Sequence, residues 1–235
     1  KRDESAKDMT LEDMCGRGCY LGVDLSEGGD LTSISFLFPL EDGKVFVESQ
    51  SFIPVHSLEK HEQTDAAPYR RWSNMGLLTP TNGIDTYGLK TDYKAVIKYI
   101  ADVQEKYNIR IVEVGYDDRN ASAFLTDLAG VVNCDLTLIV QSAKSLNDAT
   151  VDFRLSVAGG AVYHNKQNEL LTWSMSHAVI VENNYNQIKI DKLTRNRRID
   201  PCDALIDAWK CYFTKKKTDE QMVSNDSAVK EMVGF

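Results

Sequence analysis

The chain has 235 residues, of which 43% are hydrophobic, and it carries 27 basic and 35 acidic side chains for a net charge of −8. This composition is ordinary for a globular protein and excludes disorder along the whole chain, while the negative charge argues against a protein that coats nucleic acid through bulk attraction. No window approaches the roughly 18 consecutive apolar residues of a membrane-spanning helix, and we expect neither membrane association nor an export signal. Five scattered cysteines favour a reducing, intracellular compartment.

The first half of the chain predicts three strands and an insertion. Residues 1–18 are polar, and we expect a linker or the remnant of an upstream domain. Strands are predicted over 19–24, 31–38 and 45–52 with short turns between them, which is typical of an antiparallel meander. Residues 54–89 are rich in turn formers and predict an irregular insertion with one short helix.

In the second half, strands and helices alternate. Apolar periodicity predicts helices and strands, in chain order, over 91–107, 109–116, 120–128, 136–140 and 146–157. This rhythm implies parallel pairing, so the fold class is α/β, with a mixed sheet that is antiparallel in its first three strands and then parallel, flanked by helices. A hairpin or arm is expected over 162–173 and a short strand near 187–190. The last helix begins at Asp200, before a proline at its first turn, and residues 214–235 predict a polar, mobile tail.

Four acidic residues lie where strands end and where the last helix begins. Asp24 ends the first strand, Asp117 ends the 109–116 strand, and Asp200 and Asp203 lie in the first turn of the last helix. Clustered carboxylates repel one another, and hard cations such as Mg²⁺ or Mn²⁺ neutralise them with oxygen ligands. Capping alone could explain Asp200 and Asp203. It cannot explain Asp24, so the combination favours a metal centre.

Basic residues directly precede Asp200 in the sequence. They are Lys189, Lys192, Arg195, Arg197 and Arg198. Beside a catalytic centre, such a stretch is suited to hold phosphates without reading bases. The alternative is an ordinary solvated loop. Arg119 is a weaker candidate for the same role, as are Arg70 and Arg71.

Four sequence segments stand out in order along the chain. They are LGVDLS (21–26) with DLT (30–32), YRRW (69–72) with GLL (76–78), GYDDRNA (115–121) and RIDPCDAL (198–205). Together they resemble, in order, the nuclease half of the large terminase subunit of tailed bacteriophages and prophages. Residues 159–165 and 173–177 are also similar to the segment that precedes the family's catalytic helix. The resemblance covers about residues 19–213. It implies an RNase H-like fold and an endonuclease that cuts concatemeric double-stranded viral DNA.

The resemblance also implies the chemistry and its setting. Three acids, which correspond to Asp24, Asp117 and Asp200, would hold two divalent ions, Mg²⁺ or Mn²⁺, for two-metal hydrolysis of the phosphodiester. Asp203 would be an additional ligand or would orient a metal-bound water. The implied partners are double-stranded DNA, the small terminase subunit and the portal of the procapsid, in the cytoplasm of an infected or lysogenic bacterium. The family's ATPase half has a phosphate-binding glycine loop, and no such motif is present here.

Three alternatives remain open from the residues. A resolvase-like or transposase-like nuclease would use the same acids. A fragment of a sugar-kinase-like or actin-like phosphotransferase would also have a first strand ending in Gly-Val-Asp before a glycine-containing turn, and ATP binding would distinguish it. A catalytically inactive DNA-binding module would tolerate loss of the acids, but all of them are present.

From the predicted elements and the resemblance, we expect residues 1–18 to be a linker, residues 19–213 a nuclease domain and residues 214–235 a tail.

Overall fold

The computed structural model describes residues 8–26, 30–82, 90–118, 121–194 and 197–233, with the side chains of the last helix described up to residue 224. The glycines at positions 28 and 29, in the turn predicted after the first strand, and the candidates Arg119 and Arg195 lie outside the described residues. Among the described residues, no helix has the length and apolar character needed to cross a membrane.

Three antiparallel strands form one half of the main sheet. They are β1 (Gly18–Asp24), β2 (Thr32–Pro39) and β3 (Val45–Pro54), paired in that order. Nearly every residue of these strands is buried, because the sheet is covered on both faces and its strands are accordingly rich in apolar side chains. The predicted meander is confirmed.

Parallel strands form the other half of the sheet. The strand β5 (Arg110–Tyr116) pairs with β1, and β6 (Asp135–Leu138) pairs with β5. The helices α3 (Tyr93–Tyr107) and α4 (Ala121–Leu128) precede and follow β5 along the chain. The strand order is β4-β3-β2-β1-β5-β6, where β4 is Leu78–Thr81. The change from antiparallel to parallel pairing is as predicted, and it aligns the carboxyl ends of β1 and β5.

The last helix, α7 (Asp200–Val233), lies directly against the sheet because two strands have glycine beneath it. A Cβ on Gly22 of β1 would be 1.7 Å from the carbonyl oxygen of Ala204, and a Cβ on Gly115 of β5 would be 2.6 Å from that of Asp207. Any side chain at either position would therefore force the helix off the sheet. On its other side α7 packs against α5 (Ala143–Ala158).

The predicted irregular insertion with one short helix is wrong. The segment forms α1 (Val55–Thr64) and α2 (Tyr69–Asn74), followed by the edge strand β4, which pairs in parallel with β3. The buried residues of α1 are Ser57 and His61. A helix that buries polar side chains has no apolar stripe, so hydrophobic periodicity cannot reveal it.

The hairpin or arm predicted for 162–173 is also wrong. A short strand, β7 (Val162–His164), pairs with β3, and helix α6 (Glu169–His177) follows. Asn168 caps α6, since its side chain accepts a 2.9 Å hydrogen bond from the backbone N–H of Leu171. A separate two-stranded sheet comes next, formed by β8 (Ala178–Glu182) and β9 (Ile188–Lys192). The short strand expected near 187–190 is thus confirmed as β9, whereas β8 has no counterpart among the predicted strands.

Both ends of the chain differ from the expected linker and tail. Leu11–Met14 form a 3₁₀ turn, and Met14 is buried against the core. Helix α7 continues to Val233, so the segment predicted as a polar tail is helical through that residue. The domain boundaries at residues 18 and 213 stay predictions.

Candidate active site

A cavity of about 500 Å³ lies where β1 and β5 end and α7 begins. Seven aspartates line it: Asp24, Asp30, Asp117, Asp191, Asp200, Asp203 and Asp207. The structure therefore brings together all four acids singled out in the sequence, although they come from three separate elements.

The sheet register explains the position of the two strand-end acids. Val23 of β1 is opposite Tyr116 of β5 in a parallel pair. The next residue of each chain segment is an aspartate, Asp24 and Asp117, and both are half-buried. Because parallel neighbours end at the same edge of a sheet, these two carboxylates enter the cavity side by side.

Hydrogen bonds to two other elements fix the beginning of α7. The hydroxyl of Ser35 on β2 donates to the carbonyl oxygen of Pro201 at 2.9 Å. The backbone N–H of Cys202 donates to the hydroxyl of Ser174 on α6 at 3.2 Å. Both serines are buried, so the first turn of α7, with Asp200, is held in one place at the cavity wall.

Asp207 is a site residue that the sequence reasoning missed. It is 1% exposed, and its Oδ1 accepts a 2.7 Å hydrogen bond from Nε2 of Gln141, which follows β6. A signal for it was present, because positions 200, 203 and 207 have the i, i+3, i+7 spacing of one helix face. Gln141 gave no comparable signal, since its place in the cavity follows from the tertiary fold.

The carboxylates on α7 have raised pKa values. Burial raises the pKa of Asp200 to about 6, and the charge of Asp30 adds to that effect. Burial also raises the pKa of Asp203, with further contributions from Asp200 and Asp207. The pKa of Asp207 is raised in the same way, by burial and then by the charges of Asp24 and Asp117. The site thus has an excess of negative charge, which a cation would relieve.

A buried network holds Arg198 at the entrance of this cavity. Its Nε donates to Asp65 at 3.1 Å, its Nη1 lies 2.7 Å from Asp30, and its Nη2 donates to Nδ1 of His61 at 3.2 Å. Tyr69 donates to the same Asp65 carboxylate at 2.7 Å. Burial alone would raise the pKa of Asp65, but its contacts with His61, Tyr69 and Arg198 hold that pKa well below its usual range. The α1–α2 segment therefore holds Arg198 in place beside the cavity.

The other predicted basic residues are placed differently from Arg198. Lys189 and Lys192, both on β9, line the cavity. The ammonium of Lys189 is 3.1 Å from Asp191, whereas Lys192 is exposed. Arg197 is half-buried and lies between β9 and α7 along the chain.

The donor chemistry of the cavity fits a divalent cation. As the side chains are positioned, no group of three His, Cys, Asp or Glu residues within the described part of the chain is arranged to hold an ion. The cavity nevertheless offers the carboxylate oxygens of seven aspartates, and carboxylate oxygens are the ligands that Mg²⁺ and Mn²⁺ prefer. The raised pKa values on α7 show that the unneutralised carboxylates are unfavourable where they lie.

Residues 3–215 match the family model described as "Terminase large subunit, endonuclease domain". The chain belongs to that family. Among curated relatives, it is 28% identical over 210 residues to protein YmfN of Escherichia coli K12 and 29% identical over 186 residues to the terminase large subunit of Enterobacteria phage HK97. These alignments cover 85% and 78% of this chain but 44% and 35% of the relatives. The chain therefore spans less than half the length of either relative.

Solved structures agree with the family assignment. The crystal structure of the HK97 large terminase superimposes with a TM-score of 0.73 at 25% identity, covering 88% of this chain and 43% of that one. The large terminase nuclease from thermophilic phage G20c superimposes with a TM-score of 0.52 at 11% identity, covering 82% and 81%, which shows the fold alone. The predicted RNase H-like nuclease fold of a terminase large subunit is confirmed.

Proposed function

We propose that this domain is a metal-dependent DNA endonuclease that cuts concatemeric double-stranded DNA during viral DNA packaging. The observation that carries the proposal is the convergence of Asp24, Asp117, Asp200 and Asp203 on one cavity of a terminase endonuclease fold. Carboxylates gathered in this way serve divalent-metal phosphodiester hydrolysis, which needs no side-chain nucleophile.

Each acid has an assigned role in this proposal. Asp24, Asp117 and Asp200 would hold two ions, and Asp203 would act as a further ligand or orient the attacking water. A bound Mg²⁺ or Mn²⁺ ion would activate that water and would stabilise negative charge on the leaving oxygen. The protein keeps the strand-end acids in register and holds the first turn of α7 against β2 and α6.

Lys189 and Lys192 line the cavity wall, and in this proposal they contact the DNA backbone. Their charges would position phosphates without selecting a base sequence. We propose the same contact with backbone phosphates for Arg197, Arg195 and Arg119. Arg198 has a different role, because a phosphate contact that drew it from Asp65 would leave a 1%-exposed carboxylate without its guanidinium partner. We assign Arg198 to positioning the entrance of the site.

The wider setting is also part of the proposal. The small terminase subunit and the portal of a procapsid are the partners proposed for the complete protein, in the cytoplasm of an infected or lysogenic bacterium. ATP-driven translocation would require the family's motor domain, whose glycine-loop motif this chain lacks.

Cleavage of supercoiled plasmid tests the proposed reaction. Wild-type protein should nick or linearise plasmid with Mg²⁺ or Mn²⁺ and not with EDTA. Asp24→Asn, Asp117→Asn and Asp200→Asn should each lose at least about a hundredfold in rate, since each would remove a carboxylate that binds metal. Asp148→Asn is the matched control, because Asp148 is exposed and pairs with Lys217 away from the cavity.

Two results would overturn the catalytic assignment. One is a folded wild-type protein that cuts nothing with either metal, and the other is a set of Asn variants that cut as well as Asp148→Asn. ATP binding by the same protein would then favour the phosphotransferase alternative.

A further inference from the structure

Asp207 of α7 lines the same cavity as the two strand-end acids, Asp24 and Asp117. Beyond burial, the charges that raise the pKa of Asp207 are those of Asp24 and Asp117. For Asp200, the charge of Asp30 raises the pKa, whereas the charges of Arg198 and Lys192 lower it. Positions 200 and 207 are about 10 Å apart along a helix axis. The helix therefore presents one carboxylate at the entrance and another at the inner wall.

Asp207 has little freedom to leave this inner wall. Its backbone carbonyl is packed on β5, where a Cβ on Gly115 would be 2.6 Å from the carbonyl oxygen. Its side chain is fixed from β6, because Gln141 donates to Oδ1 at 2.7 Å. A carboxylate has a second oxygen with its own lone pairs. With Oδ1 held by Gln141, Oδ2 is the atom suited to meet a cation.

We propose that Asp207, oriented by Gln141, is a further cation-binding carboxylate of this site, acting on the inner side together with Asp24 and Asp117. The inference rests on the proposed function, since it extends the same metal centre. It adds β6 to the elements that build the site, because Gln141 follows that strand. Neither residue was among the acids and basic groups that the sequence singled out.

Cation binding without DNA tests this inference independently of cleavage. Mn²⁺ affinity would be measured by calorimetry and by electron paramagnetic resonance for wild type, Asp207→Asn, Gln141→Leu and the control Asp148→Asn. Asparagine has nearly the shape of aspartate and can still accept from Gln141, so the change removes mainly the charge. We expect Asp207→Asn to weaken Mn²⁺ binding by roughly tenfold or more and Gln141→Leu to weaken it by a smaller factor.

Thermal unfolding separates cation binding from a purely structural role. In EDTA, Asp207→Asn should melt at or above the wild-type temperature, because it replaces a buried carboxyl group whose ionised form is disfavoured by burial and by Asp24 and Asp117. The rise in melting temperature on adding Mn²⁺ should be smaller than for wild type. If Asp207→Asn did not fold, Gln141→Leu would still test the inference, since Gln141 is only half-buried.

The outcomes also distinguish this inference from the proposed function. Wild-type affinity in both Asp207→Asn and Gln141→Leu, with binding lost in Asp24→Asn, would overturn the role of Asp207 alone. Absence of Mn²⁺ binding to folded wild-type protein would overturn the metal centre and this inference together.

Discussion

Arg198 donates a 3.1 Å hydrogen bond to Asp65, which lies 133 residues earlier in the chain. The contact joins the α1–α2 segment to the residues that lead into α7. The carboxylate of Asp65 is fully buried, whereas the Arg198 side chain is 15% exposed. A largely buried pair of this kind is costly to break from one side, because the partner's charge stays behind with fewer groups to compensate it.

The first prediction concerns that buried pair. Asp65→Ala should lower the free energy of unfolding by about 3–5 kcal/mol, since it leaves the Arg198 guanidinium with only Asp30 as a counterion and removes the acceptor of the buried Tyr69 hydroxyl. The matched change is Glu62→Ala in the same segment, which removes a partly exposed ion pair with Arg70 and should cost less than about 1 kcal/mol. Urea denaturation of both variants would measure the difference, and equal losses would contradict the supporting role assigned to Asp65.

The second prediction concerns pH. The pKa of Asp200 is raised from its ordinary 3.8 to about 6, so the folded chain retains this proton at pH values where the unfolded chain has released it. The resulting stabilisation is fully present below about pH 4 and is lost as the pH rises through about 6. In EDTA, Asp200→Asn should therefore be more stable than wild type at pH 7.5, by roughly 1–3 kcal/mol. At pH 4 the two proteins should have nearly equal stability.

A control of opposite sign is available for this pH series. The pKa of Asp148 is lowered by Asn147 and then by Lys217. Asp148→Asn should accordingly lose a little stability at pH 7.5 and lose less as the pH falls below about 4. Unfolding curves recorded across the pH range would show both trends, and an Asp200→Asn curve parallel to wild type would contradict the raised pKa.

The third prediction concerns the contact between α7 and the sheet. Gly22→Ala should destabilise the fold by at least about 2–3 kcal/mol, because the new Cβ would lie 1.7 Å from a helix carbonyl oxygen and such overpacking forces backbone shifts. Gly159→Ala is the comparison, since its Cβ would be 3.3 Å from its nearest contact. If the helix must be displaced, Gly22→Ala should also reduce Mn²⁺ binding, whereas Gly159→Ala should leave it unchanged.

The fourth prediction concerns DNA. Lys192→Gln should weaken the binding of double-stranded DNA of any sequence and should reduce the slope of log affinity against log salt by about 1. Lys98→Gln removes an exposed lysine that pairs with Asp102 on α3 and should leave that slope unchanged. Fluorescence anisotropy over a salt series, with Ca²⁺ in place of Mg²⁺, would measure both. A slope that stays the same in Lys192→Gln would remove this residue from the proposed DNA surface.

The sequence predicts those parts of the fold that depend on apolar periodicity. The strands that end at Asp24 and Asp117 are apolar runs, and the α/β rhythm places their carboxyl ends at one edge. Apolar periodicity does not reveal the helices of the 54–89 insertion, because α1 buries Ser57 and His61 in place of an apolar stripe. The insertion's contact with the site includes the ion pair between Asp65 and Arg198, which no local pattern encodes.

Some residues of the candidate site could likewise be predicted from the sequence, and others could not. Acids at strand ends can be found by inspection, because their positions follow from the elements they end. Asp207 was detectable from helical spacing, but it resembles an ordinary helix residue until the contact with Gly115 is known. Gln141 is unremarkable in sequence, and only the pairing of β6 with β5 brings it near α7.

The separation of the cavity acids along the chain has a consequence for biosynthesis. Asp24 and Asp117 leave the ribosome well before the segment from Asp200 to Asp207 has been made. Until that helix packs on the two glycines of the sheet, the strand-end carboxylates lack their partners from α7. A growing polypeptide therefore has no complete cavity, and under the proposed function it could not cut DNA until synthesis has passed this helix.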